Sequence, residues 1–289
     1  MTTPPTPQAP YQPQPAPQQH WQAPSAGHYA SPIEQRDATL GDALASEWTK
    51  IRSVRSTMWT LGVMIVLLLV IGLLSAVAVN ASGTALGSTP VLSLGFFGVL
   101  LGSICVITLG VMTIASEYGT GMIRTTLTAC PSRARVLTAK SIVFFLLTFV
   151  ITTVTTALVA ALQTAVLDGG SASGDDWLRA TVGVGLYIAT LGLLSLAVGA
   201  LIRHSAGAIT IMIAAVLLPL VLAMFMFAES LADVQQALFE YSIPSQLGGL
   251  YDASVSASGP SGWEPLWIMV GVTAVVMTGA YAALDRRDV

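Results

Sequence analysis

The chain has 289 residues, of which 54% are apolar and only 9% are charged, and its formal net charge is −3. Ordinary globular domains carry roughly 25% charged residues, so these few charges cannot cover a water-exposed surface, and a soluble fold is excluded. A net negative charge also gives no support for nucleic-acid binding, which needs a basic face for the phosphates. The composition therefore predicts a protein embedded in the lipid bilayer.

Residues 1–38 form a compositionally separate segment. Nine of the 15 prolines fall within the first 32 residues, interleaved with Gln and Ala. Such a segment buries too little apolar surface to offset the entropy lost on ordering. We expect a disordered, partly polyproline-II tail on the cytoplasmic side.

Residues 39–57 have the pattern of an amphipathic helix that lies in the membrane interface. Four apolar side chains recur at i, i+4, i+8 and i+11 and share one helical face; they are Leu40, Leu44, Trp48 and Ile51. Three basic residues flank this face, and they are Lys50, Arg52 and Arg55. Basic side chains beside a Trp-bearing apolar face suit a helix whose cations reach the lipid headgroups. An ordinary juxtamembrane linker is the alternative interpretation.

Residues 58–289 contain six apolar stretches, each at least about 20 residues long, which is enough to cross a ~30 Å hydrocarbon core. The predicted spans are 58–79, 91–115, 141–167, 180–202, 206–228 and 265–284. None has a charged residue in its interior, and Pro219 is expected to kink the fifth. The fold class predicted is an all-α polytopic membrane protein with six transmembrane helices.

The basic residues predict the orientation of the spans, because cytoplasmic loops carry an excess of Lys and Arg. Of the 12 basic residues, 11 fall on one side of the predicted topology, and Arg179 is the exception. The opposite loops are acidic. Both termini are therefore expected in the cytoplasm, and the protein is expected in the cell membrane.

The motifs of enzymes are missing from the sequence. It has no phosphate-cradling G-x-x-x-x-G-K-[ST] loop and no hydrolase or zinc motif, and its two cysteines, Cys105 and Cys130, are expected to be unpaired thiols. We predict no catalytic residue, no cofactor and no metal site. The uncharged spans also disfavour an ion-coupled secondary transporter, which usually needs an ionisable relay in mid-membrane.

The segment EYGTGMIRTTLTACPSRARVLTAK (117–140) lies between the second and third spans and is polar and basic. Its glycines loosen the end of the second span, and MIRTTL is predicted to form a short helix that ends near Cys130. Pro131 is suited to the first position of the next helix. The pattern predicts a short cytoplasmic helix between two membrane helices, and a basic loop without a partner is the alternative.

These features together resemble the permease subunits of ABC-2 type transporters, most closely the single-domain permeases common in actinobacteria. The resemblance covers the chain from about Thr39 to its end. It rests on the entry SEWTKIRSVRSTMWTL, on the six spans, and on a pattern in the 117–140 loop, namely Glu117, Gly119, Thr120, Arg124, Pro131, Arg133 and Lys140.

The resemblance implies partners and roles that spacing alone does not. In that family the loop between the second and third spans carries a coupling helix that docks on a separate ATPase, and two permeases, identical or paralogous, pair around a central path. The coupling residues implied here are Glu117, Gly119, Met122, Arg124, Pro131 and Arg133. The implied residues of the interfacial helix are Trp48, Lys50, Arg52 and Arg55.

The predicted function is that of a membrane permease that exports a drug, a peptide or an amphiphile with energy from a separate ATPase. The alternative function is that of a membrane anchor or immunity protein that recruits a cytoplasmic partner.

A further short helix is predicted in the last outer loop, where apolar residues recur at i, i+3, i+7 and i+10 before Pro244. They are Leu231, Val234, Leu238 and Tyr241.

Overall fold

A computed structural model describes residues 38–83, 89–167, 172–253 and 258–286. The predicted disordered tail, residues 1–38, lies outside these ranges except for its last residue. Every regular element in the described residues is helical. The eleven α-helices of this part are α1 (Leu40–Ser53), α2 (Arg55–Ser82), α3 (Phe96–Gly119), α4 (Met122–Ala129), α5 (Arg133–Val166), α6 (Gly174–Leu178), α7 (Val184–Ile202), α8 (Ser205–Phe225), α9 (Ala232–Glu240), α10 (Ile243–Leu250) and α11 (Glu264–Arg286).

Six helical segments are long and apolar enough to cross a membrane, which confirms the predicted fold class. They are Arg55–Ser82, Val91–Gly119, Arg133–Val166, Gly174–Ile202, Ser205–Phe225 and Glu264–Arg286. The second includes a 3₁₀ turn before α3, and the fourth joins α6 to α7 through a π-helical turn. Pro219 lies inside α8, which continues through it to Phe225.

Some boundaries differ from the predicted ones. The segment 39–57 is not one helix, because the extended backbone of Val54 ends α1 and the first transmembrane helix begins at Arg55. The helix of the third span begins at Arg133, about two turns before the apolar run. The expected start at Pro131 is wrong, because the Ser132 side chain accepts a hydrogen bond from the Arg135 backbone and caps the helix one residue after the proline.

The centre of the bundle is α7, which packs against α3, α5, α8 and α11. Its contact with α3 is close because both helices carry glycine there. A Cβ added to Gly110 of α3 would lie 2.5 Å from the carbonyl oxygen of Gly192 in α7. Small residues allow membrane helices to approach in this way, where helix association depends on packing. The surrounding helices α2, α8 and α11 are mostly exposed, and their apolar outer faces suit contact with lipid.

The basic loops meet at one end of the bundle, here called the basic end. The Lys50 ammonium group on α1 reaches Glu117 of α3 and Thr126 of α4. The guanidinium group of Arg203, which ends α7, lies 4.9 Å from the ring centroid of Tyr118, in cation–π contact. Arg133 donates to a carbonyl oxygen of α11. The loops that the basic residues assign to one side of the membrane therefore share one end of the fold.

The opposite end carries the exception, Arg179, and a layer of short helices. Arg179 forms ion pairs with Asp175 and Asp176 of α6, and Asp252, which follows α10, lies 3.9 Å from it. The short helix predicted in the last outer loop is present as α9, followed by α10.

The apolar stripe predicted for that short helix is nevertheless not its buried side. Leu231, Val234 and Tyr241 remain exposed, whereas Glu240 is buried. Glu240 accepts hydrogen bonds from Gln236 and from the Ser258 hydroxyl. The buried side of α9 is therefore held by polar contacts rather than by the apolar stripe.

Candidate functional site at the basic end

Four charged side chains join three helices at the basic end, and we call them the charge cluster: Glu47 and Lys50 of α1, Glu117 of α3, and Lys140 of α5. The Lys140 ammonium group lies 2.8 Å from Glu47 Oε2 and 2.6 Å from Glu117 Oε1. The Lys50 ammonium group lies 2.8 Å from Glu47 Oε1 and 2.9 Å from Glu117 Oε1. Each lysine therefore bridges both carboxylates.

Burial makes the cluster unusual. The Lys140 side chain is only 1% exposed, and those of Glu47 and Glu117 are 6% and 7% exposed. Charges so far removed from water are stable only when they are paired and hydrogen-bonded. Two positive and two negative charges balance, and three of the four carboxylate oxygens accept from lysine. The fourth, Glu117 Oε2, has no partner among the described residues.

Local sequence places each member. A capping box at Thr39 starts α1: the Thr39 hydroxyl accepts from the Asp42 backbone, and the Asp42 carboxylate accepts from the Thr39 backbone. Glu47 and Lys50 are then one turn apart on the same face of this helix. The chain reverses sharply after α3 because Gly121 has a φ of 73°, a conformation that glycine adopts without strain.

The short helix α4 is part of the same assembly. The Ile123 side chain is buried, and Lys50 donates to the Thr126 hydroxyl at 3.4 Å. The other side of α4 faces outward: Met122 is 50% exposed, and Arg124 is exposed. The helix thus presents an apolar and a cationic side chain at the surface, while Ile123 and Thr126 on its other side hold it against the rest of the chain.

The ion pairs act on the proton affinity of Lys50, which lies outside the membrane-spanning segments. Partial burial favours the neutral amine and by itself lowers the pKa. The hydrogen bonds and negative charges of Glu47 and Glu117 outweigh that effect, and the pKa of Lys50 is raised above its ordinary value of 10.5. Lys50 is therefore a cation at every physiological pH.

The structure separates the residues predicted for coupling into two groups. Glu117 belongs to the charge cluster, where it meets Lys50 of the predicted interfacial helix, whereas Met122 and Arg124 lie on the exposed side of α4. Gly119 ends α3, and Pro131 lies exposed between α4 and α5. Arg133 is engaged within the chain, because its guanidinium group donates to the carbonyl oxygen of Leu284 at 2.7 Å.

The residues predicted for an interfacial helix also divide. Of its apolar stripe, Ile51 is buried, whereas Leu40 and Trp48 remain exposed, Trp48 by 45%. Arg52 and Arg55 are exposed beside them. The exposed stripe of α1 is thus free to contact lipid, while the helix turns Glu47 and Lys50 toward the bundle.

Sequence reasoning missed Glu47. The signal was present, because Lys140 and Glu117 stand at the same end of two apolar helices, where buried charges need partners of opposite sign. Glu47 lies one helical turn before Lys50 and one before Ile51, which places it on the side of α1 that faces the bundle. The apolar stripe that includes Trp48 predicted instead that a neighbouring face of α1 makes the important contacts, with lipid.

A cavity of about 210 Å³ lies beside the charge cluster, between α1, α2, α3 and α5. Glu117, Lys50 and Lys140 contribute to its wall together with apolar side chains such as Phe144 and Leu109. Within the described ranges no group of His, Cys, Asp and Glu is arranged to hold a metal ion. What the geometry shows is a set of buried ion pairs that link α1, α3 and α5.

Comparison with known families agrees with this architecture. Residues 92–289 match the model of the ABC-2 family transporter proteins, which covers more than half of the chain and includes α3 to α11. The match does not extend to α1 and α2, so two members of the charge cluster, Glu47 and Lys50, lie outside it. No curated protein matches the chain. With its six membrane-spanning helices, the chain belongs to the ABC-2 transporter family and is a membrane permease of an ABC transporter.

Proposed function

We propose that this permease works with a separate ATPase subunit that docks on α4, and that two permease copies or paralogues pair in the cell membrane to export a drug, a peptide or an amphiphile. Both termini and the basic end face the cytoplasm in this proposal. The observation that carries it is the position of α4, which is exposed on one side and linked to α1, α3 and α5 on the other through Lys50 and the charge cluster.

The outward side of α4 has the chemistry of a docking surface. Met122 is a flexible apolar side chain suited to an irregular groove, and Arg124 supplies a cation that can donate to a carboxylate. Both side chains are exposed. A partner groove with an apolar floor and an acidic rim would take this surface.

The charge cluster would carry a displacement of α4 into the membrane. The Lys50 ammonium group contacts Thr126 of α4 and both buried carboxylates, one on α1 and one on α3. Lys140 extends the same network to α5. When ATP closes the partner's nucleotide sites and moves α4, these short contacts oblige α1, α3 and α5 to follow. The spans around the path between the two permeases would then reorient.

The test compares two substitutions that each remove one exposed positive charge from the basic end. Arg124→Gln lies on α4, and its matched control Arg52→Gln lies on α1. We expect Arg124→Gln to weaken co-purification of the ATPase and substrate-stimulated ATP hydrolysis, and the addition of Met122→Ser to abolish both. Arg52→Gln should leave both intact, and both proteins should reach the membrane in normal amounts.

Two results would count against the proposal. If the α4 variant keeps the ATPase bound and transports normally, α4 is not the docking element. If the ATPase binds the native chain but no transport is measured for any drug, peptide or amphiphile, the chain is an anchor that recruits a partner. Arg133 is left unchanged in this design because its contact with Leu284 would add a stability effect.

A further inference from the structure

A second, much smaller cavity lies toward the opposite end of the bundle, between α2, α3 and α5. Its volume is about 10 Å³, close to the space that one water molecule needs. Most of its walls are apolar and all are buried, but three of its lining residues are polar: Thr156, Gln163 and Tyr251. None of the lining residues carries a formal charge, which leaves no reason for an ion to bind there.

The orientation of the Gln163 amide is set by its neighbour. The side chain is 0% exposed, and its Nε2 donates to the carbonyl oxygen of Gly72 on α2 at 3.0 Å. Turning the amide over would place two oxygens against each other, so this contact assigns the oxygen as well. Gln163 Oε1 then has no donor among the described residues. A buried amide oxygen without a hydrogen bond is costly, and more so in a membrane.

The hydroxyl of Tyr251 is a donor beside the same cavity. Burial raises the pKa of this phenol, so it keeps its proton throughout the physiological range. A Cβ added at Gly95, which also lines the cavity, would lie 3.4 Å from the Tyr251 hydroxyl oxygen. Thr156 donates to the carbonyl oxygen of Thr152 and retains lone pairs that can accept.

We propose that this cavity binds one ordered water molecule, which accepts a hydrogen bond from the Tyr251 hydroxyl and donates one to Gln163 Oε1. Its second proton faces the Thr156 hydroxyl oxygen. Two to four polar partners are the usual environment of a buried water. The water links the C-terminal part of α5 to Tyr251, which directly follows α10. This role does not depend on the proposed ATPase partner.

The decisive variant is Gly95→Ala, because the sign of its effect distinguishes a wet cavity from a dry one. Gly95 has a φ of −72°, and the new methyl group would make ordinary contacts of 3.4–3.8 Å with Tyr251, so the substitution introduces no strain. If water is bound, the methyl displaces it and leaves Gln163 Oε1 unpaired, and the melting temperature falls. In a dry cavity the methyl fills empty space, and the melting temperature rises.

Gly271→Ala is the matched control, because a Cβ there meets no atom within 4 Å and reports the backbone effect of alanine alone. The full-length chain in lipid nanodiscs is used throughout. We expect Gly95→Ala to melt below both the native chain and the control. A melting temperature equal to or above that of the control would overturn the proposal.

A second variant tests the bridge itself. Tyr251→Phe should lower the melting temperature of the native chain but have little effect in the Gly95→Ala background, where the water is already gone. Additive effects of the two substitutions would contradict a shared water. A high-resolution map of the native protein should show one density peak within hydrogen-bonding distance of Gln163 and Tyr251, and an empty cavity there would refute the assignment.

Discussion

Removal of the Lys140 charge should destabilise this permease more than removal of the Lys50 charge or of the exposed Arg124 charge at the same end. Lys140→Met keeps most of the side-chain volume but takes the ammonium group from two carboxylates, at 2.8 Å and 2.6 Å. Breaking a buried ion pair by removing one partner costs about 3–5 kcal/mol. Lys50 still contacts both carboxylates after the change, so we expect a loss near the lower limit, about 3 kcal/mol.

Two other substitutions serve as references for the stability lost in Lys140→Met. Lys50→Met removes a side chain that is 30% exposed, so solvent screening reduces the effect to about 1 kcal/mol or less. Arg124→Met removes a positive charge from the exposed surface of α4 and controls for any effect on membrane insertion. The assay is the free energy of unfolding of the purified chain in mixed detergent micelles.

The charge cluster further predicts a rescue. In the Lys140→Met background, Glu117 retains only Lys50 as its partner, and neutralising it by Glu117→Gln should recover part of the lost stability. The same Glu117→Gln substitution should destabilise the native chain. If the two losses simply add, or if Lys140→Met costs no more than Lys50→Met, the cluster is not a coupled unit and the reasoning fails.

Four further outcomes are expected. A single cysteine introduced at Ser258, in a background without the two native cysteines, should react with an impermeant reagent outside the cell, and one at Ser205 only after permeabilisation; the reverse pattern would invert the proposed orientation. The purified chain alone should hydrolyse no ATP, since its sequence has no phosphate-cradling loop, and activity that persists after removal of contaminating ATPases would contradict this. Gly110→Ala should cost about 1–3 kcal/mol of stability, because the new Cβ would lie 2.5 Å from a carbonyl oxygen of α7, while Gly271→Ala should have little effect in the same unfolding assay. The Lys50→Met penalty should be the same at about pH 6 and about pH 9. The pKa of Lys50 is raised above 10.5, so the side chain remains a stabilising cation throughout that window. A penalty that shrinks between these two pH values would show that Lys50 loses its proton at lower pH.

The parts of the fold that follow from hydrophobicity were predictable. Six spans emerged from apolar runs of sufficient length, and their breaks coincide with polar or glycine-containing segments such as the turn at Gly121. The start of α5 was not predictable from the same signal. Its first two turns are amphipathic rather than uniformly apolar, and they form because Ser132 caps the helix and because Arg133 and Lys140 find partners in distant parts of the chain.

Three of the four residues of the charge cluster were named from the sequence, but Glu47 was missed and the geometry was not predicted. Glu117 and Lys50 were singled out from the sequence, yet only their distance in space shows that they contact each other across 67 positions. Arg133 was grouped with Arg124 because the family resemblance implies a coupling role for both. Its contact with Leu284 depends on where α11 ends, which no local pattern records.

The central position of α7 has a consequence for the order in which the protein is made. Helices α3 and α5 both pack on α7, but they leave the ribosome before it. Until the fourth span is inserted, the surface of α3 around Gly110, which is shaped for a close backbone contact, has only lipid or a chaperone to cover it. Assembly of the bundle therefore has to wait for a helix in the middle of the chain. A nascent chain that stalls before residue 184 would expose this uncovered surface to membrane quality control, whereas one that stalls far enough past residue 202 for α7 to leave the ribosome would already hold the helix around which the bundle packs.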